Sequence, residues 1–141
     1  MSINQLKKDD PIKYLQNFKY MQVVTFKRNG TGVPTAVWFA IVNKNIYFHT
    51  LSYRWKVKRL KRNSKIEIRP CTMMNKIIGK GFSGKAEKIS SRDKELIQLI
   101  EKDFRKKFPI KQRLFRFNDR LRRRSYEYYK LHSFNPISKE I

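Results

Sequence analysis

The chain has 141 residues, of which 40% are hydrophobic and 13% aromatic, and this apolar content suits one folded domain and excludes a disordered basic tail. No run approaches the roughly 18 apolar residues of a membrane span, and the N-terminus has no apolar signal core, so the sequence predicts a cytoplasmic protein. One cysteine, Cys71, and two histidines exclude an internal disulfide and a usual zinc site.

The formal net charge of +23 is the strongest feature of the composition. Basic residues crowd into two segments, residues 54–69 and 111–124, and each segment holds only one acid. A charge of this size attracts polyanions such as nucleic acid, anionic lipid or a phosphorylated ligand. Solvated helix faces would explain the same pattern, so the charge by itself does not identify a partner.

The first part of the chain predicts a short helix followed by a β-meander. Asp10 suits the N-cap of that helix and Pro11 its first position. Runs rich in β-branched and apolar residues, separated by turn residues, predict strands over residues 21–28, 33–42 and 46–50. The second of these strands is apolar throughout, which predicts that both of its faces are buried. Consecutive strands joined by tight turns favour an antiparallel sheet or barrel.

The second part of the chain predicts basic helices and further strands. The first is a helix over residues 53–62 with Val57 and Leu60 facing inward, and strands over residues 65–71 and 76–89 follow it. A helix then runs from a Ser90-Ser91 cap to Pro109. The chain continues with a basic helix around Leu114, Phe117 and Leu121 and with a strand over residues 125–132. Strands and helices do not alternate, so a doubly wound parallel sheet is excluded. A mainly β barrel with peripheral helices fits the order.

The sequence lacks several common catalytic and phosphate-binding motifs. The chain contains no P-loop, no HExxH and no GxSxG, and the glycines within residues 79–84 lie in a predicted strand, where they indicate a bend or bulge. His49 and His132 are isolated histidines, which are more often structural than catalytic. Cys71 ends a predicted strand without a histidine partner, so we interpret it as a buried thiol.

One group of residues is suited to binding an anion. Thr50 ends a predicted strand, and Arg54 and Lys56 lie at the start of the basic helix that follows. A hydroxyl and two cations beside the free N–H groups of a helix N-terminus suit a phosphate. A capped amphipathic helix with exposed cations would give the same spacing.

Several runs carry a resemblance to a known family: NGTGVPTAVWF, IYFHT, KVKRLKRNSKIEIRPC, FSGKAEKI and the basic run that ends at Arg124. Together they resemble the pyridoxamine-phosphate-oxidase-like superfamily of FMN- and deazaflavin-binding proteins, and within it the branch that uses the deazaflavin coenzyme F-420. The resemblance spans residues 10–132. It implies a split β-barrel, here as a single domain over residues 1–141, and a homodimer with cofactor sites at the subunit interface.

The same resemblance implies which residues bind the cofactor. Val37 and Trp38 match the strand whose backbone lies along the cofactor ring, and Thr35 matches a pocket position on that strand. Thr50 and Lys56 match the threonine and lysine that bind the cofactor phosphate.

Two neighbours of Lys56 depart from the family pattern. Arg54 stands where the family usually has serine, and Trp55 stands where it has glycine or arginine. Arg54 still offers a cation to the phosphate, whereas the bulky Trp55 changes the surroundings of the site.

The implied function is hydride transfer between bound FMN or coenzyme F-420 and a small organic substrate, with the chemistry carried by the cofactor. Two other classes of function stay open. One is a protein that holds flavin or haem without turnover, with His49 or His132 as the candidate haem ligand. The other is a nucleic-acid-binding module that uses the two basic segments, with bases stacked on Tyr126, Tyr128 or Tyr129.

Overall fold

The computed structural model describes residues 10–137; the rest of the predicted domain, residues 1–9 and 138–141, lies outside the described residues. The described part contains four helices and six strands, here named α1 (Pro11–Leu15), β1 (Tyr20–Phe26), β2 (Gly32–Val42), β3 (Asn45–Leu51), α2 (Trp55–Arg62), β4 (Lys65–Cys71), β5 (Phe82–Lys88), α3 (Lys94–Lys107), α4 (Pro109–Leu121) and β6 (Tyr126–Pro136). None of these helices combines the length and the apolar character that crossing a bilayer requires.

The six strands form one closed antiparallel barrel in the order β1-β2-β3-β6-β5-β4. The turn between β2 and β3 is as tight as the sequence predicts: Asn43 and Lys44 have φ angles of 50° and 63°, the left-handed conformation of a two-residue hairpin turn. β6 returns from the far end of the chain and pairs with both β3 and β5. The predicted mainly β barrel with peripheral helices is therefore confirmed.

Alternate residues of the strands fill the barrel interior, because successive side chains of a strand point to opposite faces. The largest of these side chains that are fully buried are Met21, Phe39, Ile46, Phe48, Ile66, Ile68 and Leu131. Leu15 from α1 and Leu60 from α2 pack against the same cluster. These helices are therefore attached to the barrel by their apolar faces.

Helix α3 covers the outside of the barrel at β2. Ile100 and Phe104 of α3 form a second buried cluster with Ala40 and Tyr47. Phe39 and Ala40 are neighbours on β2 and both are fully buried, one in each cluster. The prediction that this strand is buried on both faces is confirmed at Phe39 and Ala40 only, since most of the other residues of β2 are half-buried and Pro34 is exposed.

Three predicted strands have different boundaries. The strand expected over residues 76–89 is only Phe82–Lys88, the last strand extends beyond residue 132 to Pro136, and the first, expected over residues 21–28, ends at Phe26. The bend predicted within residues 79–84 is present at Gly84, where the pairing register shifts and an added Cβ would lie 2.9 Å from the carbonyl oxygen of His132.

Two predicted features of the helices also differ. The N-cap of α3 is Asp93, whose carboxylate accepts a hydrogen bond from the backbone N–H of Leu96, and not Ser90. In α2 the buried residues are Leu60, as predicted, and Lys56, whereas Val57 is only half-buried.

Candidate functional site

Strands β2 and β3 separate partway along their length. Their pairing begins at the hairpin turn and ends where Phe39 lies opposite Phe48. β2 continues along β1, and β3 continues along β6, so the two strands diverge beyond this point. As a result, residues 35–38 of β2 have no strand partner on the β3 side among the described residues. Backbone N–H and C=O groups at such an edge are available to a ligand.

The gap between the strands is an open cleft of about 470 Å³. All six residues for which the sequence predicts cofactor binding line it, namely Thr35, Val37, Trp38, Thr50, Arg54 and Lys56. The other lining residues are Tyr20, Ala36, His49, Leu51, Met73, Phe115 and Tyr126. The cleft is mainly apolar, with a few polar groups, which is typical of small-molecule sites. The predicted residues are therefore brought together, and their role in binding stays a prediction.

One part of the cleft is positively charged. The Lys56 side chain lies at the first turn of α2, and the residue is only 9% exposed. Burial, together with the neighbouring cations Arg54 and Arg59, lowers the pKa of Lys56 to about 8. No carboxylate of the described residues pairs with this ammonium. Nor does any side chain of these residues cap the N-terminus of α2. A cation on a largely buried side chain, without a carboxylate partner and beside free helix N–H groups, is the arrangement that an anionic ligand stabilises.

An aromatic wall borders the cleft on the side of α3 and α4. The Trp38 ring stacks on Phe108 with a centroid distance of 4.2 Å and an interplanar angle of 9°. Phe115 of α4 approaches the same indole to 5.5 Å between centroids. Stacked rings of this kind form a rigid apolar surface, against which a flat ligand can pack.

His49 lies within this wall. Its ring stacks on Tyr126 at 4.3 Å between centroids, and its Nδ1 is buried 3.8 Å from a carboxylate oxygen of Glu101 without a hydrogen bond. Burial, and then the positive charge of Arg116, lower the pKa of His49 to about 3. The imidazole is therefore neutral at physiological pH.

A buried polar network lies behind the wall and fixes α4 in place. The Glu101 carboxylate of α3 accepts hydrogen bonds from Gln112 of α4, at 3.0 Å, and from the Tyr128 hydroxyl of β6, and it forms an ion pair with Arg116. In the same region the hydroxyl of Tyr126 donates to Asp119 of α4.

The predicted nucleic-acid-stacking surface on β6 is wrong for two of its three tyrosines. Tyr128 and Tyr129 are only 7% and 4% exposed, because their rings belong to the two buried clusters. Tyr126 is half-buried, stacks on His49 and lines the cleft. His132 lies outside the cleft, where its imidazole contacts Ser133 and Glu87.

Sequence reasoning missed Met73, Phe115 and Tyr126 as cleft residues. Met73 lies in the β4–β5 connection, and Phe115 lies on α4 beside the residues that form its apolar stripe. Each reaches the cleft through packing between distant segments, so no local pattern identifies it. Tyr126 was singled out as an aromatic residue, but for a different site.

An antiparallel barrel whose neighbouring strands part around a ligand-sized cleft defines the protein as a split β-barrel. No model of a protein family matches the sequence, and no curated protein matches it either. Solved structures do match. HutZ, the haem storage protein from Vibrio cholerae, is 14% identical with a TM-score of 0.63, covering 96% of this chain and 95% of HutZ.

Two further structures extend the comparison. A candidate pyridoxamine 5'-phosphate oxidase from Listeria innocua is 11% identical with a TM-score of 0.60, covering 93% of this chain and 98% of that protein. An F-420 reductase is 13% identical with a TM-score of 0.51, covering 87% and 94% of the two chains. At these identities the similarity concerns the fold. The chain has the split-barrel fold of the pyridoxamine-phosphate-oxidase-like proteins, as the sequence resemblance implies.

Proposed function

We propose that the cleft binds FMN or the deazaflavin coenzyme F-420, and that the protein is an oxidoreductase acting on a small organic substrate. The observation that carries this proposal is Lys56, a largely buried residue whose ammonium pairs with no carboxylate of residues 10–137. It lines a cleft walled by a free strand edge and by aromatic rings. Both cofactors combine a phosphate with a flat, polar-edged ring, and the cleft offers a complementary group for each part.

Thr50, Arg54 and Lys56 would hold the phosphate. Thr50 is 6% exposed and contributes a hydroxyl to the cleft, and Arg54 is the N-cap residue of α2. Charge-assisted hydrogen bonds to a phosphate are about twice as strong as neutral ones. A bound phosphate would also restore the full charge on Lys56, because an anion favours the protonated form.

Thr35, Val37 and Trp38 would hold the ring. The unpaired edge of β2 offers backbone donors and acceptors to the polar edge of a ring, and Trp38 offers it an apolar border. When bound, the cofactor supplies hydride transfer, and the protein supplies orientation and a site with little water. His49 is neutral and its Nδ1 is buried toward Glu101, so a proton for the substrate would come from solvent.

The protein is further proposed to act as a homodimer. Helix α4 exposes an apolar stripe of Ile110, Leu114, Phe117 and Leu121, each between 61% and 73% exposed. These residues recur at helical spacing, so they lie on one face of α4. Phe115 of the same helix lines the cleft, so a second copy packed on the stripe would lie beside the cofactor site. Large exposed apolar surfaces of this kind mark protein interfaces.

Isothermal titration of the apo-protein with FMN and with coenzyme F-420 tests the cofactor proposal. Tight binding of one of them, weakened by Lys56→Ala, would support it. Binding of neither would overturn it. Bleaching of the bound cofactor's absorbance when a reduced nicotinamide or a candidate substrate is added would distinguish catalysis from storage.

Haem storage is the competing function, since HutZ has the same fold. One of the two histidines argues against it here, because His132 lies outside the cleft. His49 lines the cleft with its Nδ1 buried, so Nε2 is the nitrogen that would bind iron. A strong Soret band on addition of haem, retained in His49→Ala and His132→Ala, would favour storage through another ligand.

A further inference from the structure

A second basic surface lies beside α2, apart from the cleft. It comprises Trp55 with the surrounding cations, and it is here called the Trp55 patch: Lys27, Arg28, Trp55, Lys58, Arg59, Lys61 and Arg62. The surface is concave, because these residues line two depressions of about 410 and 530 Å³ that share Arg28, Trp55, Arg59 and Arg62. Trp55 and Lys56 are consecutive in the chain, yet Trp55 lines this surface while Lys56 lines the cleft.

The cations of the patch have no counter-charges among the described residues. None of the ion pairs among residues 10–137 involves Lys27, Arg28 or any of the four cations of α2 in the patch. Six like charges gathered around one concavity produce a strong positive potential. This potential favours a polyanion as the ligand.

Two arginines of the patch are held in place by the barrel. Arg59 donates through Nε to the hydroxyl of Thr25, at 2.6 Å, and Arg62 donates to the carbonyl oxygen of Phe26, at 3.1 Å. Both acceptors belong to β1, and Thr25 is fully buried. A guanidinium has five N–H donors, so each arginine keeps donors for a ligand after it is anchored. Anchored arginines lose little side-chain entropy when they bind phosphates.

Trp55 adds a flat aromatic surface to these charges. The residue is 68% exposed, and the Lys58 ammonium lies 4.3 Å from the centroid of its ring. This indole contributes little to either buried cluster, so the fold gains little from a tryptophan here. Exposed aromatic rings in a cationic groove are the features by which proteins bind single-stranded nucleic acid, with bases stacked on the rings and phosphates on the cations.

We propose that the Trp55 patch binds single-stranded nucleic acid through phosphate contacts and through one base stacked on Trp55. An anionic membrane is the other polyanion to consider, but an interfacial helix inserts several apolar side chains into the bilayer. The patch has only Trp55, and its surface is concave. The proposed activity is separate from cofactor binding, because the two sites use different residues.

Fluorescence anisotropy of a labelled oligothymidylate of about 12 nucleotides, with the full chain at several salt concentrations, tests the proposal. Lys58→Gln/Lys61→Gln is expected to weaken binding and to reduce the slope of log K against log salt by about 1.4, since each single-strand phosphate contact contributes about 0.7. Trp55→Ala is expected to weaken binding roughly tenfold at constant salt with little change in slope. Trp55→Phe is expected to retain most of the affinity.

The matched control is Lys102→Gln/Lys106→Gln, which removes the same charge from exposed positions on α3. An equal loss of affinity in this control would overturn the proposal, since binding would then depend only on net charge. Unchanged affinity in Trp55→Ala would also overturn it. So would a result in which Trp55→Ala weakens binding to phosphatidylglycerol vesicles but not to the oligonucleotide. An unchanged melting temperature in Trp55→Ala would confirm that the variant is folded. An unchanged titration with the cofactor that the parent binds, FMN or coenzyme F-420, would confirm that the two sites are separate.

Discussion

Replacing Lys56 with methionine is expected to weaken cofactor binding while making the apo-protein more stable. Burial and two neighbouring arginines lower the pKa of Lys56 from 10.5 to about 8. Each unit corresponds to about 1.4 kcal/mol, and solvent screening at the open cleft reduces the total, so the unpaired charge costs about 1–2 kcal/mol. Methionine keeps much of the volume and removes this cost. A charge-assisted hydrogen bond to phosphate contributes about 1.5–3 kcal/mol, so affinity should fall roughly tenfold to a hundredfold.

Urea unfolding of the apo-protein and calorimetric titration measure the two effects separately. The folded-state pKa of Lys56 lies below its unfolded value, so the unfolded chain binds more protons between pH 8 and pH 10.5. The stability gained by Lys56→Met is therefore complete below pH 8 and lost as the pH rises toward 10.5. Lys58→Met, on the exposed face of the same helix, is the control. A Lys56→Met protein that is less stable and binds the cofactor as tightly as the parent would refute this reasoning.

Four further outcomes are expected. Cofactor affinity should fall as the pH rises above about 8, because Lys56 of the protein without cofactor then loses its proton. Lys56→Arg should remove that pH dependence. His49 has a folded-state pKa of about 3, below its ordinary 6.5, so the free energy of unfolding should fall as the pH is lowered from 6.5 to 3. In His49→Asn the free energy of unfolding should depend less on pH over the same window. Phe104→Ala should cost about 3–5 kcal/mol in denaturant unfolding, because the ring is fully buried between α3 and the barrel. Leu114→Glu/Phe117→Glu should convert a dimer to a monomer in sedimentation velocity, and an unchanged sedimentation coefficient would remove α4 from the interface.

Much of the barrel was predictable, because the sequence patterns that indicate its strands and turns are local. The apolar run of β2, the Asn43-Lys44 turn and the Pro11 helix start each depend on neighbouring residues only. The least accurate region was residues 76–89, where apolar and glycine residues suggested one long strand. The strand itself is only Phe82–Lys88, and before it Ile77 makes no more than an isolated bridge with Cys71. The rest of the β4–β5 connection is a loop, and its residue Met73 lines the cleft. Pairing partners from elsewhere in the chain decide such boundaries.

The sequence by itself determined the class of fold, the basic character of α2, and the set of six residues expected at a cofactor site. Tertiary structure decided the environment of those residues. No local pattern in the sequence indicates that residues 35–38 of β2 lie apart from β3, or that Lys56 is largely buried while the adjacent Trp55 is exposed. The physical reason is that burial, unpaired strand edges and uncompensated charge depend on contacts between distant segments. Those contacts form only when the barrel closes and α4 packs against it.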